Sequence, residues 1–321
     1  MLGQIAFKGS KNAPGKNTVT LASFRAGYRV TSALALFSIL GIAPAAAGQN
    51  TLQVVNNCRV PIWIQQINMP APTPVIVRIE SRRNYTYTIP ASGPKATRFW
   101  PKTGCDGNGN NCAVGQSSPP CPTLGCTPPI DSKLEVSWGN PNESGAAGQT
   151  FYDLSQVDGF TLPYSVRVTG GGTNNCTSAG CPTLDMTHCI TSENLTTEGH
   201  FPELANQDLT ARQQTTFKVV GCFSPAGKLT FATQYGAYNY VPSAPQAGFY
   251  TCTSIIPTSA NPIPQYDPGT ALGCRAGPAP TTQYVSLINS ACTGVYGYAY
   301  DDINGTRSCI GPTQLVFTVC P

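Results

Sequence analysis

The amino-acid sequence predicts an all-β fold, a sandwich of short strands with a disulfide-rich insertion. Three observations lead there. Short runs of alternating apolar and polar residues recur along the chain, 61 of its 321 residues are Gly or Pro, and only 11% are charged. Period-two alternation marks half-buried strands, and Gly and Pro set the turns between them. So few Lys, Glu and Arg residues argue against long helices or a coiled coil. The 29 aromatics and 40% hydrophobic residues suffice for a packed core and are the wrong composition for disorder.

The elements follow in order. Leu52–Val55 and Val60–Ile64 read as paired strands around an Asn56-Asn57-Cys58 turn. Pro61 belongs at the start of the second strand or on a sheet edge, because it cannot donate to a ladder. Val75–Ile79 and Tyr85–Ile89 come next, then Arg98-Phe99-Trp100 and a loop over 103–129 with four cysteines. Lys133–Trp138 alternates with its apolar set inward and Glu135 on the opposite face. Gln149–Leu154 and Tyr164–Val168 flank an Asp158-Gly159 turn, and Leu315–Cys320 is the closing strand. Tyr296, Tyr298 and Tyr300 fall on one strand face, as a core stripe or a surface for stacking sugars. Helical periodicity is poor, with Gln283–Ile288 and Leu209–Gln214 as the candidates. No internal repeat is visible.

Residues 1–47 read as a secretory signal: Lys8, Lys11, Lys16, Arg25 and Arg29 without an acid, the apolar run Ala33–Ile42, then Ala45-Ala46-Ala47 as a cleavage pattern. The apolar run is too short for a membrane span. The whole chain has 19 basic and 15 acidic residues, a formal charge of +4. Without the five basic residues of the signal, 14 basic face 15 acidic groups and the balance is −1. The nucleic-acid reading loses its support with them, since phosphate binding needs clustered Lys and Arg. The compartment expected is extracellular.

All 14 cysteines lie beyond residue 47, an even number that in an exported chain implies a disulfide framework of up to seven bridges. Zinc is the weaker alternative, because no Cys-x-x-Cys pair exists and only His188 and His200 could join the cysteines. No metal and no cofactor are expected. Asn-x-Ser/Thr sequons begin at Asn84, Asn142, Asn175, Asn194 and Asn304, glycan sites if the host modifies exported chains. The chain has no Gly-x-Ser-x-Gly elbow and no Walker-type loop, and Gly170-Gly171-Gly172 reads as a turn.

Several motifs resemble one family. Val54-Val55-Asn56-Asn57-Cys58 with Ile62-Trp63, Arg98-Phe99-Trp100 before Thr103-Gly104-Cys105, and Leu134-Glu135-Val136 are similar to blocks of thaumatin-like proteins. So are Tyr152–Pro163, Tyr298–Asp302 and Val316–Pro321, all in the family's order. The resemblance implies a flattened β-sandwich with a disulfide-rich, loop-rich second lobe. It places the sandwich at 48–175 and 293–321 and the lobe at 176–292. It also implies the bridges Cys58–Cys320, Cys105–Cys112, Cys121–Cys126, Cys176–Cys309, Cys181–Cys292 and Cys189–Cys222. Cys252–Cys274 would stand for two small bridges of the family's sixteen-cysteine pattern. The stretch between Cys112 and Cys121 and a Tyr/Pro-rich segment from Cys222 to Cys292 depart from that pattern.

By the same resemblance, Arg98, Glu135, Asp153, Asp158 and Asp301 line an acidic cleft. Clustered carboxylates raise the pKa of at least one member by repulsion, while an arginine keeps others ionised. Glycoside hydrolysis uses that contrast, with one protonated acid and one carboxylate. Glu135 is expected as the acid and Asp158 as its partner, with Arg98, Asp153 and Asp301 binding substrate. Each has a plainer reading, Asp158 as a turn residue above all. The resulting expectation is a secreted monomer that binds β-1,3-glucan or another wall polysaccharide, with weak endo-β-1,3-glucanase activity and an antifungal role. The alternative is a non-catalytic module binding a protein target, such as an inhibitor of a foreign hydrolase.

Overall fold

The computed structural model describes residues 48–116, 130–170, 176–197, 200–213, 216–255 and 267–321. The export signal, the Cys121–Cys126 bridge, the Asn175 sequon and the Gly171-Gly172 turn lie outside the described residues. Eight strands precede residue 161: β1 (Thr51–Asn56), β2 (Ile62–Ile67), β3 (Ile76–Ile79), β4 (Asn84–Thr88), β5 (Thr97–Lys102), β6 (Lys133–Ser137), β7 (Gln149–Ser155) and β8 (Gly159–Phe160). Seven more follow: β9 (Tyr164–Gly170), β10 (Ala179–Cys181), β11 (Thr210–Arg212), β12 (Val219–Phe223), β13 (Val295–Tyr296), β14 (Arg307–Ile310) and β15 (Gln314–Val319). The helices are short: α1 (Pro225–Thr230), α2 (Pro245–Thr251), α3 (Ala271–Ala276), α4 (Gln283–Ala291) and α5 (Asp302–Gly305).

The strands form three sheets. One has the order β10-β9-β15-β1-β4, a small one β11-β12-β8, and the largest runs β13-β7-β6-β5-β2-β3 with β14 also on β7. The chain's last strand lies parallel to its first, Leu52 opposite Leu315 and Val54 opposite Phe317. Leu52, Val54, Ile62, Ile64, Leu134, Val136 and Phe317 are fully buried in one cluster that draws on both larger sheets. Tyr87 of β4 packs on Phe99 of β5 with ring centroids 5.3 Å apart, a direct contact between those sheets.

The predicted hairpin between the first two strands does not form. β1 pairs with β15 and β4, whereas β2 pairs with β3 and β5. The connecting segment crosses from one sheet to the other, and the buried Asn56 side chain satisfies it. Its amide donates to Ile79 O and Val60 O, and its Oδ1 accepts from Cys58 N. Pro61 stands just before β2, where no ladder needs its nitrogen.

Two further expectations change. The helix expected from Leu209 does not form over the described residues, because Thr210–Arg212 is a strand that pairs with β12. Tyr296, Tyr298 and Tyr300 do not share a strand face: β13 ends at Tyr296, and Tyr300 has φ +65°. Gln283–Ile288 does fall in a helix, α4. Thr282 Oγ1 caps it by accepting from Val285 N, and Tyr284, Val285 and Ile288 are its buried side.

Among the described residues, disulfides join Cys58–Cys320, Cys105–Cys112, Cys176–Cys309, Cys181–Cys292, Cys189–Cys222 and Cys252–Cys274. These are the pairings the family resemblance implied. No described helix is long and apolar enough to cross a membrane.

Candidate functional site

The outer face of the largest sheet carries the polar residues. Along β6, Leu134 and Val136 enter the core, so Lys133, Glu135 and Ser137 stand on the other side. Register then decides the neighbours. Arg98 of β5 is directly opposite Glu135, and Glu135 is directly opposite Asp153 of β7. Three residues spread over 55 positions of sequence therefore form one row across three strands. Arg98 Nε closes an ion pair with Glu135 Oε1.

Asp153 is the carboxyl of this row whose pKa is raised well above the usual carboxylate range. Burial is the main cause, and the negative charges of Glu135 and Asp302 add to it against the pull of Arg98. Of the expected cluster, burial raises the pKa of Asp153 and of Asp301, while Glu135 is paired with Arg98.

Asp158 occupies a second group on the same side. Its Oδ2 lies 2.7 Å from Nζ of Lys133, a buried lysine two residues before Glu135. Close by, the buried carboxyl of Asp131 accepts from Thr161 Oγ1 at 3.2 Å, and burial raises its pKa strongly. Lys102 of β5, also buried, donates to Gln65 Oε1 at 2.9 Å.

Asp301 is not in the row. It is buried, accepts from Gly297 N at 3.1 Å and Asn304 Nδ2 at 2.8 Å, and so clamps the loop into α5. Its exposed neighbour Asp302 acts on Asp153 electrostatically instead. Asp302 accepts from Tyr296 Oη at 2.7 Å and pairs with Arg275 of α3 at 2.8 Å. Adjacent aspartates give no sequence signal for which one turns inward. Lys133 could have been found, since alternation puts it on the face of Glu135.

Neither histidine joins this site. His188 Nδ1 lies 3.0 Å from Asp185 Oδ1 in its own turn. Among the described residues no three His, Cys, Asp or Glu side chains cluster as a metal site would require. A small depression between Val157, Ser224, Tyr250 and Tyr298 has none of the acids in its lining.

A thaumatin family model matches residues 56–240. The chain belongs to the thaumatin family. This thaumatin-family chain is 29% identical over 282 residues to a glucan endo-1,3-beta-glucosidase of Prunus avium, which covers 84% of this chain and 90% of that one. It is 27% identical over 298 residues to thaumatin-like protein 1 of Castanea sativa, covering 90% and 96%. A solved laminaripentaose-producing beta-1,3-glucanase in complex with laminaritetraose superposes with a TM-score of 0.48 at 15% identity, over 85% of this chain and 99% of the other.

Proposed function

We propose that the chain is exported, works as a monomer and binds β-1,3-glucan in an acidic cleft along the outer face of its largest sheet, with weak endo-β-1,3-glucanase activity and an antifungal role. The observation that carries this reading is the row Arg98–Glu135–Asp153, which sets a carboxyl of raised pKa beside a second carboxylate engaged by arginine. A glycosidic bond needs that contrast, a proton for the leaving oxygen and a carboxylate to act as base or nucleophile. Asp153 then takes the acid role expected of Glu135, with Glu135 as the carboxylate. Asp158 and Asp302 act as acceptors for sugar hydroxyls on either flank. Residues 48–175 with 293–321 provide the sandwich and 176–292 the lobe that walls the cleft. The Prunus avium relative's name supports β-1,3-glucan over other polysaccharides. Disulfides persist in oxidising compartments, which supports export.

Reducing-sugar release from a soluble β-1,3-glucan tests the reading, with purified protein compared to Asp153→Asn and Glu135→Gln. Hydrolysis that falls at least about tenfold in both variants is expected. Unchanged release in both would remove the catalytic assignment. Capture on insoluble glucan without hydrolysis would leave binding alone, and no association with glucan at all would favour a protein target.

A further inference from the structure

Lys133 is the anomaly of the outer face. Its side chain is only 2% exposed, and an ammonium so far from water costs several kcal/mol unless acceptors and a counter-charge meet it. Its Nζ donates to the Asp131 carbonyl at 3.2 Å and lies 2.7 Å from Asp158 Oδ2. The Asp131 carboxyl also feels the lysine's charge, but Asp131 is fully buried and reaches no solvent. Lys102 is a second buried cation and cannot serve. Asp158 is thus the partner in direct side-chain contact with Lys133 that reaches solvent.

Asp158 comes from a different part of the fold. It lies between β7 and β8, and its carbonyl accepts from Ser224 N, the residue before α1, at 3.2 Å. Ser224 Oγ donates to Val157 O at 2.6 Å. Gly227 of α1 passes so close that a Cβ there would stand 2.3 Å from Asp158 O. The main chain of Asp158 is thus tied to the segment opening α1, while its side chain is tied to β6 of the largest sheet. At 30% exposure, its carboxylate reaches from the buried ammonium to the surface. Lys133 and Glu135 are roughly 7 Å apart along the strand and share a face of β6, so Asp158 is held to the face that carries the acid row.

We propose that Lys133 is a positioning residue: its buried ammonium holds one oxygen of Asp158 so that the carboxylate faces the outer side of the sheet as an acceptor for the hydroxyls of a bound glucan. The glucan part rests on the function proposed above. The hold of Lys133 on Asp158 does not.

The experiment measures affinity for a soluble β-1,3-glucan oligosaccharide and the urea midpoint for the wild-type protein, Lys133→Met, Lys133→Arg, Asp158→Asn and the Lys133→Met/Asp158→Asn double variant. Methionine fills the lysine's space without its charge. Expected are a loss of about tenfold in affinity for Lys133→Met, retention within about threefold for Lys133→Arg, and little further loss when Asp158→Asn is added to Lys133→Met. Independent, multiplying losses would overturn the proposal, as would wild-type affinity in Lys133→Met beside a loss in Asp158→Asn. If the wild-type protein binds no glucan, the glucan reading fails and the urea midpoints alone decide. A double variant more stable than the summed single losses upholds the hold of Lys133 on Asp158, and additive losses refute it.

Discussion

Arg98 and Glu135 stand directly opposite each other on neighbouring strands, and their side chains close an ion pair on the outer face of the sheet. The pair has a third party, because Asp153 is in register with Glu135 one strand further on. Arg98 thus balances two carboxyls, only one of which it pairs with, and the row's charge state depends on it.

Removing that balance has a pH signature. The folded pKa of Asp153 is raised, so the folded chain holds a proton that the unfolded chain has lost. Its contribution to stability is therefore greatest in acid and declines as pH rises from about 3.9, the unfolded value, through the folded pKa. Arg98→Gln removes the one charge that lowers this pKa and extends the decline to higher pH. Urea midpoints should show the variant's deficit larger at pH 8 than at pH 5, and a deficit independent of pH would contradict the account.

Asp301 and Asp302 should separate by assay. Asp301→Asn sets a second amide against Asn304 Nδ2 and should lower stability by about 1–2 kcal/mol. Asp302→Asn should leave the thermal midpoint nearly unchanged and weaken glucan binding. The reverse pattern would return Asp301 to the site.

The disulfides should differ in what they contribute. Cys58–Cys320 closes 262 residues and Cys105–Cys112 only 7. Replacing the first pair by serines should cost about 4–5 kcal/mol, and the second less, because the longer loop restricts the unfolded chain more. Chemical denaturation of the two double-serine variants checks the order.

Gly159 has φ +140°, and a Cβ there would meet Cys222 O at 2.2 Å. Gly159→Ala should therefore destabilise the chain by about 2–4 kcal/mol, through backbone strain and a clash at the β8–β12 pairing. A variant with wild-type thermal stability would show that β8 can shift without cost.

Local pattern carried much of this fold. The alternation of Lys133–Ser137 placed Leu134 and Val136 inward and Glu135 outward with no knowledge of partners. Helical periodicity was poor, and of the two candidates Gln283–Ile288 falls in a helix while Leu209–Gln214 holds a strand. The bridges were legible only through resemblance to a family, since spacing among fourteen cysteines leaves many pairings open. The hairpin expected at Asn56-Asn57-Cys58 failed because nothing local reveals that the Asn56 amide binds Ile79 O across 23 residues.

By itself, the sequence determined the strand-rich class and the inward and outward faces of β6. Tertiary structure alone decided the company they keep: Arg98 and Glu135 met through sheet register, Asp158 was claimed by a buried lysine, and Asp302 took the exposed place beside Asp301. The reason is range. Alternation is enforced by the backbone of each strand, whereas a carboxyl's charge and reach are set by burial and by charges that long-range pairing brings within a few ångströms.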